Sequence, residues 1–243
     1  MGTNAVPVAA MHTPRIRSRT AHRACVMLLL LTSPQRVSAQ ISCATRAIVA
    51  EGFTGSAWSV PLPLTIDARG ERWRTLARYA TRPFADAPYY SYRIGRRDTD
   101  GSGQELEMLH HKLYLQNPGG PVERFEITHG YNLPTVNATG PGHGWQWRFG
   151  VGLVVAHPEG RVAGRELGGA PTALGGGYHI AGITTQVAVG RRYPFRSGRT
   201  QLTAVPEVKL TASWARIVVD SITLRVPNVA LHALGGIGVR RCL

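Results

Sequence analysis

Residues 145–156 read Trp145-Gln146-Trp147-Arg148-Phe149-Gly150-Val151-Gly152-Leu153-Val154-Val155-Ala156. Every second residue from Trp145 to Val155 is bulky and apolar. The residues between them, Gln146, Arg148, Gly150, Gly152, Val154 and Ala156, are mostly small or polar. A period of two puts these sets on opposite faces of a strand. One face offers aromatics and branched aliphatics to an apolar phase; the other fits a narrow polar interior. A soluble barrel would show the same alternation with its apolar face turned inward. Six large side chains per strand would overfill an eight-stranded interior, so the sequence favours apolar residues outside.

The pattern recurs toward the C-terminus. Val229, Leu231, Ala233, Ile237 and Val239 alternate with Asn228, Ala230, His232, Gly236 and Gly238. Leu202, Val208, Leu210 and Trp214 alternate with Thr203, Glu207, Lys209, Thr211 and Ser213. Breaks rich in Gly and Pro separate eight segments, at 72–81, 88–97, 104–115, 122–133, 144–157, 177–190, 200–216 and 226–241. No stretch keeps a helical period or supplies the ~20 apolar residues of a membrane helix. The expected fold is all-β, an eight-stranded antiparallel transmembrane barrel over residues 72–243. Residues 40–71 are expected to be a leader, because Pro61 and Pro63 remove backbone donors from the extended stretch AWSVPLPLTI.

The N-terminus reads as a secretory signal. Arg15, Arg17, Arg19 and Arg23 precede a short apolar run with VMLLLL at its centre, and Val37-Ser38-Ala39 offers a cleavage site after residue 39. Five arginines and no acid leave with residues 1–39, so a formal charge of +14 becomes +9. Cys25 leaves too. Cys43 and Cys242 remain near the two ends, either as a disulfide formed in an oxidising compartment or as two free thiols.

With both termini at one end of the barrel, the outer loops are 82–87, 116–121, 158–176 and 217–225. The inner turns are 98–103, 134–143 and 191–199. This places Arg96, Arg97, Arg191, Arg192, Arg240 and Arg241 in a collar at the inner rim, suited to the phosphates of lipid headgroups. A nucleic-acid role is set aside, since these arginines sit at strand ends with no aromatic stacking platform. No cofactor is implied. His157 and Glu159 with His179 offer a metal set, against the alternative of solvated loop histidines. Asp98–Gly103 is a polar turn lacking full calcium-ligand spacing.

On this pattern the chain resembles the small outer-membrane β-barrel proteins of Gram-negative bacteria. The resemblance implies outer-membrane lipids and the barrel-insertion machinery as partners. Such chains usually end on Phe or Trp; here the end is Arg241-Cys242-Leu243.

Candidate chemistry centres on residues 105–133. If Tyr114 faces Val122, Glu107 faces His129 on the outer side, and His110 faces Glu126 in the lumen beside Lys112. A carboxylate next to an imidazole equips a general base. His129-Gly130-Tyr131-Asn132 resembles the His-x-Ser-Asn stretch of the lipid A deacylase family, departing at Tyr131, where that family has its serine nucleophile. The resemblance implies His129, Glu107 and Asn132 as candidates for ester cleavage. The leading expectation is a non-catalytic barrel with a polar, side-chain-filled lumen; the rival is an acyl-ester hydrolase acting on lipid.

Overall fold

The computed structural model describes residues 43, 46–141, 145–168, 174–196 and 198–243; the expected signal, residues 1–39, lies outside them. Eight long strands close into an antiparallel ring. They are β1 (Ala47–Ser59), β2 (Tyr90–Arg97), β3 (Gly103–Leu115), β4 (Val122–Thr139), β5 (Trp145–Ala156), β6 (His179–Arg191), β7 (Thr200–Val219) and β8 (Ile222–Cys242). Each pairs with its sequence neighbours, and β1 pairs with β8 to close the ring. One row across the strands runs Ala50, Ile94, Leu106, Val136, Val151, Thr185, Ala212, Val229. It returns to the chain at Val60, whose N–H bonds the Val229 carbonyl. That stagger is the tilt a closed barrel requires.

The outer face is apolar. Trp147, Phe149, Val151 and Leu153 are exposed on β5, as are Ile183, Leu210, Leu231 and Ile237 on β6 to β8. Their alternates point inward, among them Arg148, Gln186, Glu207, Lys209 and His232, all buried. The faces expected for β5, β7 and β8 are therefore observed, in the sense opposite to a soluble barrel.

The first strand corrects the sequence reading. Ring strand β1 comes from the expected leader, and Pro61 and Pro63 lie just beyond its end. Its outward residues include Ala50, Gly52, Thr54 and Ser56, too small to advertise an apolar face. Residues 72–81 instead contribute to an extension at the loop end, where Leu62–Ala68 pairs with Glu71–Ala77 and with β8. The remaining boundaries agree to within two residues except where β4, β7 and β8 run beyond their clear alternation. β4 runs to Thr139, shortening the expected 134–143 turn, and β7 and β8 meet at Asp220-Ser221 instead of a loop at 217–225. The disulfide is present, with Cys43 and Cys242 Cα atoms 5.5 Å apart; it ties the chain to the β1–β8 seam.

Candidate functional site

Side chains inside the ring form three layers. At the end bearing the chain termini they are charged. Arg93 holds Glu207 with two hydrogen bonds, 3.1 and 2.7 Å, and donates from Nε to Glu51 at 2.5 Å. Arg148 bonds Glu105 and Glu207, each at 2.8 Å. Lys209 and Arg97 donate to Glu107 and Glu105, and Arg192 bonds Glu51 at 2.6 Å. Ser91, Asn137 and Gln186 complete the shell of Glu107 at 2.6, 3.0 and 2.8 Å. Four carboxylates thus meet five cations with almost no access to water. Strand geometry brings them together, since each occupies an inward position on one of five different strands or, for Arg192, the turn after β6.

Above this lies a ring of aromatics and histidines. The Tyr89 hydroxyl sits 2.6 Å from His232 Nδ1, and the Thr211 hydroxyl 2.9 Å from its Nε2. His111 packs edge-on against His232 and Tyr131. Above that layer the loop end is apolar. Leu64, Ile66, Leu113, Phe125, Ile127, Ile217, Leu224 and Val226 are all buried there.

The expected site residues separate. His110 pairs with Asn132 and His111 with Tyr131, whereas Leu113 pairs with Ile127. The register slips between them, so Glu107 lies opposite Thr135 and faces the lumen, away from His129. Leu109, His111 and Leu113 share the inward parity of Glu107, so the face expected for this strand is reversed, and Thr135 in place of His129 breaks the expected couple. His110, Lys112 and Glu126 have the opposite parity and point outward, so they form no lumen network. His110 stacks on Tyr90, ring centroids 4.8 Å apart, and bonds Asn132 at 2.8 Å. Lys112 donates to the carbonyls of Ala85 and Ala87 in the segment folded over it.

His129 has a different carboxylate. Gly130 adopts φ of +131°, a conformation that favours glycine. The chain bulges there and turns His129 outward onto Glu159, which its Nδ1 meets. The Thr128 hydroxyl bonds Glu159 at 3.1 Å, and Tyr178 donates to the His129 carbonyl at 3.1 Å. His157 stacks beside His129, centroids 5.4 Å apart. Burial pushes the His157 imidazole below its ordinary range, and Glu159 pulls it back up. The couple can orient an imidazole. Among the described residues no three His, Cys, Asp or Glu side chains are placed to hold a metal, which sets aside the His157, Glu159, His179 set.

The arginine collar divides by strand parity. Arg97 and Arg192 point inward into the charged layer, and Arg240 is half-buried on the inner face; these three are not positioned for headgroups. Arg96 and Arg241 are exposed and flank Ile48 on neighbouring strands. Arg191 lies over the rings of Trp145 and Tyr193 at 5.7 and 5.2 Å. Glu51 and Arg93 escaped the sequence reading. The signal was there, as charges of both signs at inward positions, but Glu51 fell in the segment read as a leader.

No known protein family and no curated protein matches the sequence. Among solved structures, the chain is similar to the outer membrane protein OprG from Pseudomonas aeruginosa. The identity is 13% and the TM-score 0.45, over 82% of this chain and 97% of that one. It is also similar to Neisserial surface protein A, at 10% identity and TM-score 0.34 over 82% and 97% of the chains. The attachment invasion locus protein Ail of Yersinia pestis follows at 9% and 0.32, over 81% and 98%. No residue and no role is carried over from these three.

Proposed function

We propose that this chain is an integral outer-membrane barrel that contacts lipid on its outside, conducts nothing through its inside and performs no catalysis. The single observation that carries this reading is the filling of the ring. Buried Arg93, Arg148, Lys209 and four glutamates occupy one end, and an apolar core occupies the other. An eight-stranded barrel has room for side chains but not for a channel as well. The exposed Trp, Phe, Ile, Leu and Val belt supports a lipid-facing exterior. Arg96, Arg191 and Arg241 are left to meet inner-leaflet phosphates. The test is reconstitution of the folded protein into planar bilayers and into vesicles of phospholipid and lipid A. Bilayer current at background and unchanged lipid by mass spectrometry are expected. Discrete conductance steps would remove the filled-lumen reading.

A second reading, an acyl-ester hydrolase, draws on the Glu159–His129 couple, which leaves His129 Nε2 free to take a proton from water. Lysolipid or free fatty acid in the same vesicles, lost in His129→Ala, would establish it in place of the first.

A further inference from the structure

Three arginines line up across the outside of the loop end. Arg74 pairs with Thr65, Thr65 with Arg225, and Arg225 with Arg216. The row crosses four adjacent strands, where directly opposed Cβ atoms sit about 4.5–5.5 Å apart. Arg216 and Arg225 face each other directly, and like charges in that position destabilise a sheet. One carboxylate serves the row: Asp67 accepts from Arg225 at 2.5 Å and from Arg72 at 2.7 Å. Arg74 and Arg216 are exposed, and neither has a carboxylate within 4.0 Å among the described residues. Sequence alone hides this row, because its members lie far apart in the chain.

The next row toward the barrel belt is wholly apolar. Leu76 pairs with Pro63 below Arg74 and Thr65, and Trp214 pairs with Pro227 below Arg216 and Arg225. Leu76 and Trp214 are both exposed. A cationic row directly over an apolar one matches a lipid whose phosphate sits above its acyl chains. Arginine forks bind phosphate oxygens in pairs, and such an anion would relieve the Arg216–Arg225 repulsion.

We propose that Arg74, Arg216 and Arg225 bind the phosphate of a phosphorylated glycolipid in the outer leaflet, with Leu76 and Trp214 against its acyl chains. The inference rests on the membrane-barrel reading above, and it uses the end of the barrel opposite Arg96 and Arg241. Lipid is favoured over a soluble polyanion because the apolar row is continuous with the basic one.

The experiment titrates the full-length folded protein in detergent micelles with lipid A bearing both phosphates and with lipid A stripped of phosphate, read by native mass spectrometry. The phosphorylated form should bind, and the stripped form should bind about tenfold more weakly or worse. Arg74→Gln/Arg216→Gln, which leaves the Asp67 contacts intact, should lose a comparable factor, and adding Arg225→Gln should lose more. Arg124→Gln, which removes an exposed loop-end arginine already held by Glu126 at 2.6 Å, should bind as the parent does. Without lipid, Arg216→Gln should raise the thermal midpoint at low salt. Equal binding of the two lipids, or unchanged binding by the variants, would overturn the proposal. So would displacement by a soluble sulfated oligosaccharide at equal concentration, which would give the row to a polyanion instead. A protein that stays soluble without detergent would defeat the membrane reading itself, and that outcome is seen before any lipid is added.

Discussion

The two ends of the barrel interior are filled by opposite means. At the termini end Glu207 touches Arg93 and Arg148 and is fully buried. At the loop end Leu224 is just as buried, among Ile66, Ile217 and Val226. Both close the ring, but they answer differently to damage. An apolar layer loses transfer and cavity energy when a side chain is cut back. An ionic layer loses a partner and keeps the uncompensated charges in place.

The comparison predicts its own breaking points. Glu207→Ala takes one carboxylate from a layer whose buried cations already outnumber its carboxylates and should cost about 3–5 kcal/mol, measured by denaturant unfolding in lipid. Leu224→Ala should cost about 2–5 kcal/mol, and less than Glu207→Ala in the same assay. Were the apolar variant the more damaging, the ionic layer would not be the part that needs every partner. Replacing Glu107 and Lys209 together by Leu and Met should cost less than removing Glu107 alone, because no charge is then left without its mate.

Much of this was legible in the sequence, and the rest was hidden for physical reasons. Segment 145–156 disclosed both its faces, since bulky and small residues alternate without a break. Strand β1 did not. Its outward Ala50, Gly52, Thr54 and Ser56 carry no apolar signal, and the nearby prolines drew attention to its end. The Glu107–His129 couple failed on register. The slip around Lys112 and the bulge at Gly130 depend on packing of the loop end, and no local pattern announces them. Glu159, the carboxylate His129 does meet, comes from the segment after β5, outside the 105–133 hairpin. The arginine collar is legible from position along the strands, but parity decides which members face outward and which face Glu51 and Glu105.

The smallest expected effect separates the loop-end hairpin from the ring. Hydrogen bonds from Arg72 and then Arg225 hold the Asp67 carboxyl down at about 2, below its ordinary value. A depressed carboxyl contributes stability that is complete above its unfolded value of about 3.9 and is lost as the pH falls toward the folded one. The protection factors of the amides in 62–77, taken against the intrinsic exchange rate at each pH, should therefore fall between about pH 4 and pH 2, with those of β5 and β6 unchanged. Asp67→Asn should remove that dependence. Protection that falls equally in hairpin and ring would erase the distinction.

The central claim is that the apolar face of the ring meets lipid. Trp147 is 58% exposed on that face, so it reports its surroundings directly. A variant keeping Trp147 and replacing Trp58, Trp73, Trp145 and Trp214 by Phe is reconstituted into vesicles of acyl-brominated phospholipid. Strong quenching of Trp147 by the brominated chains, with little quenching by aqueous iodide, is the predicted result. Quenching by iodide and indifference to the brominated lipid would contradict the account.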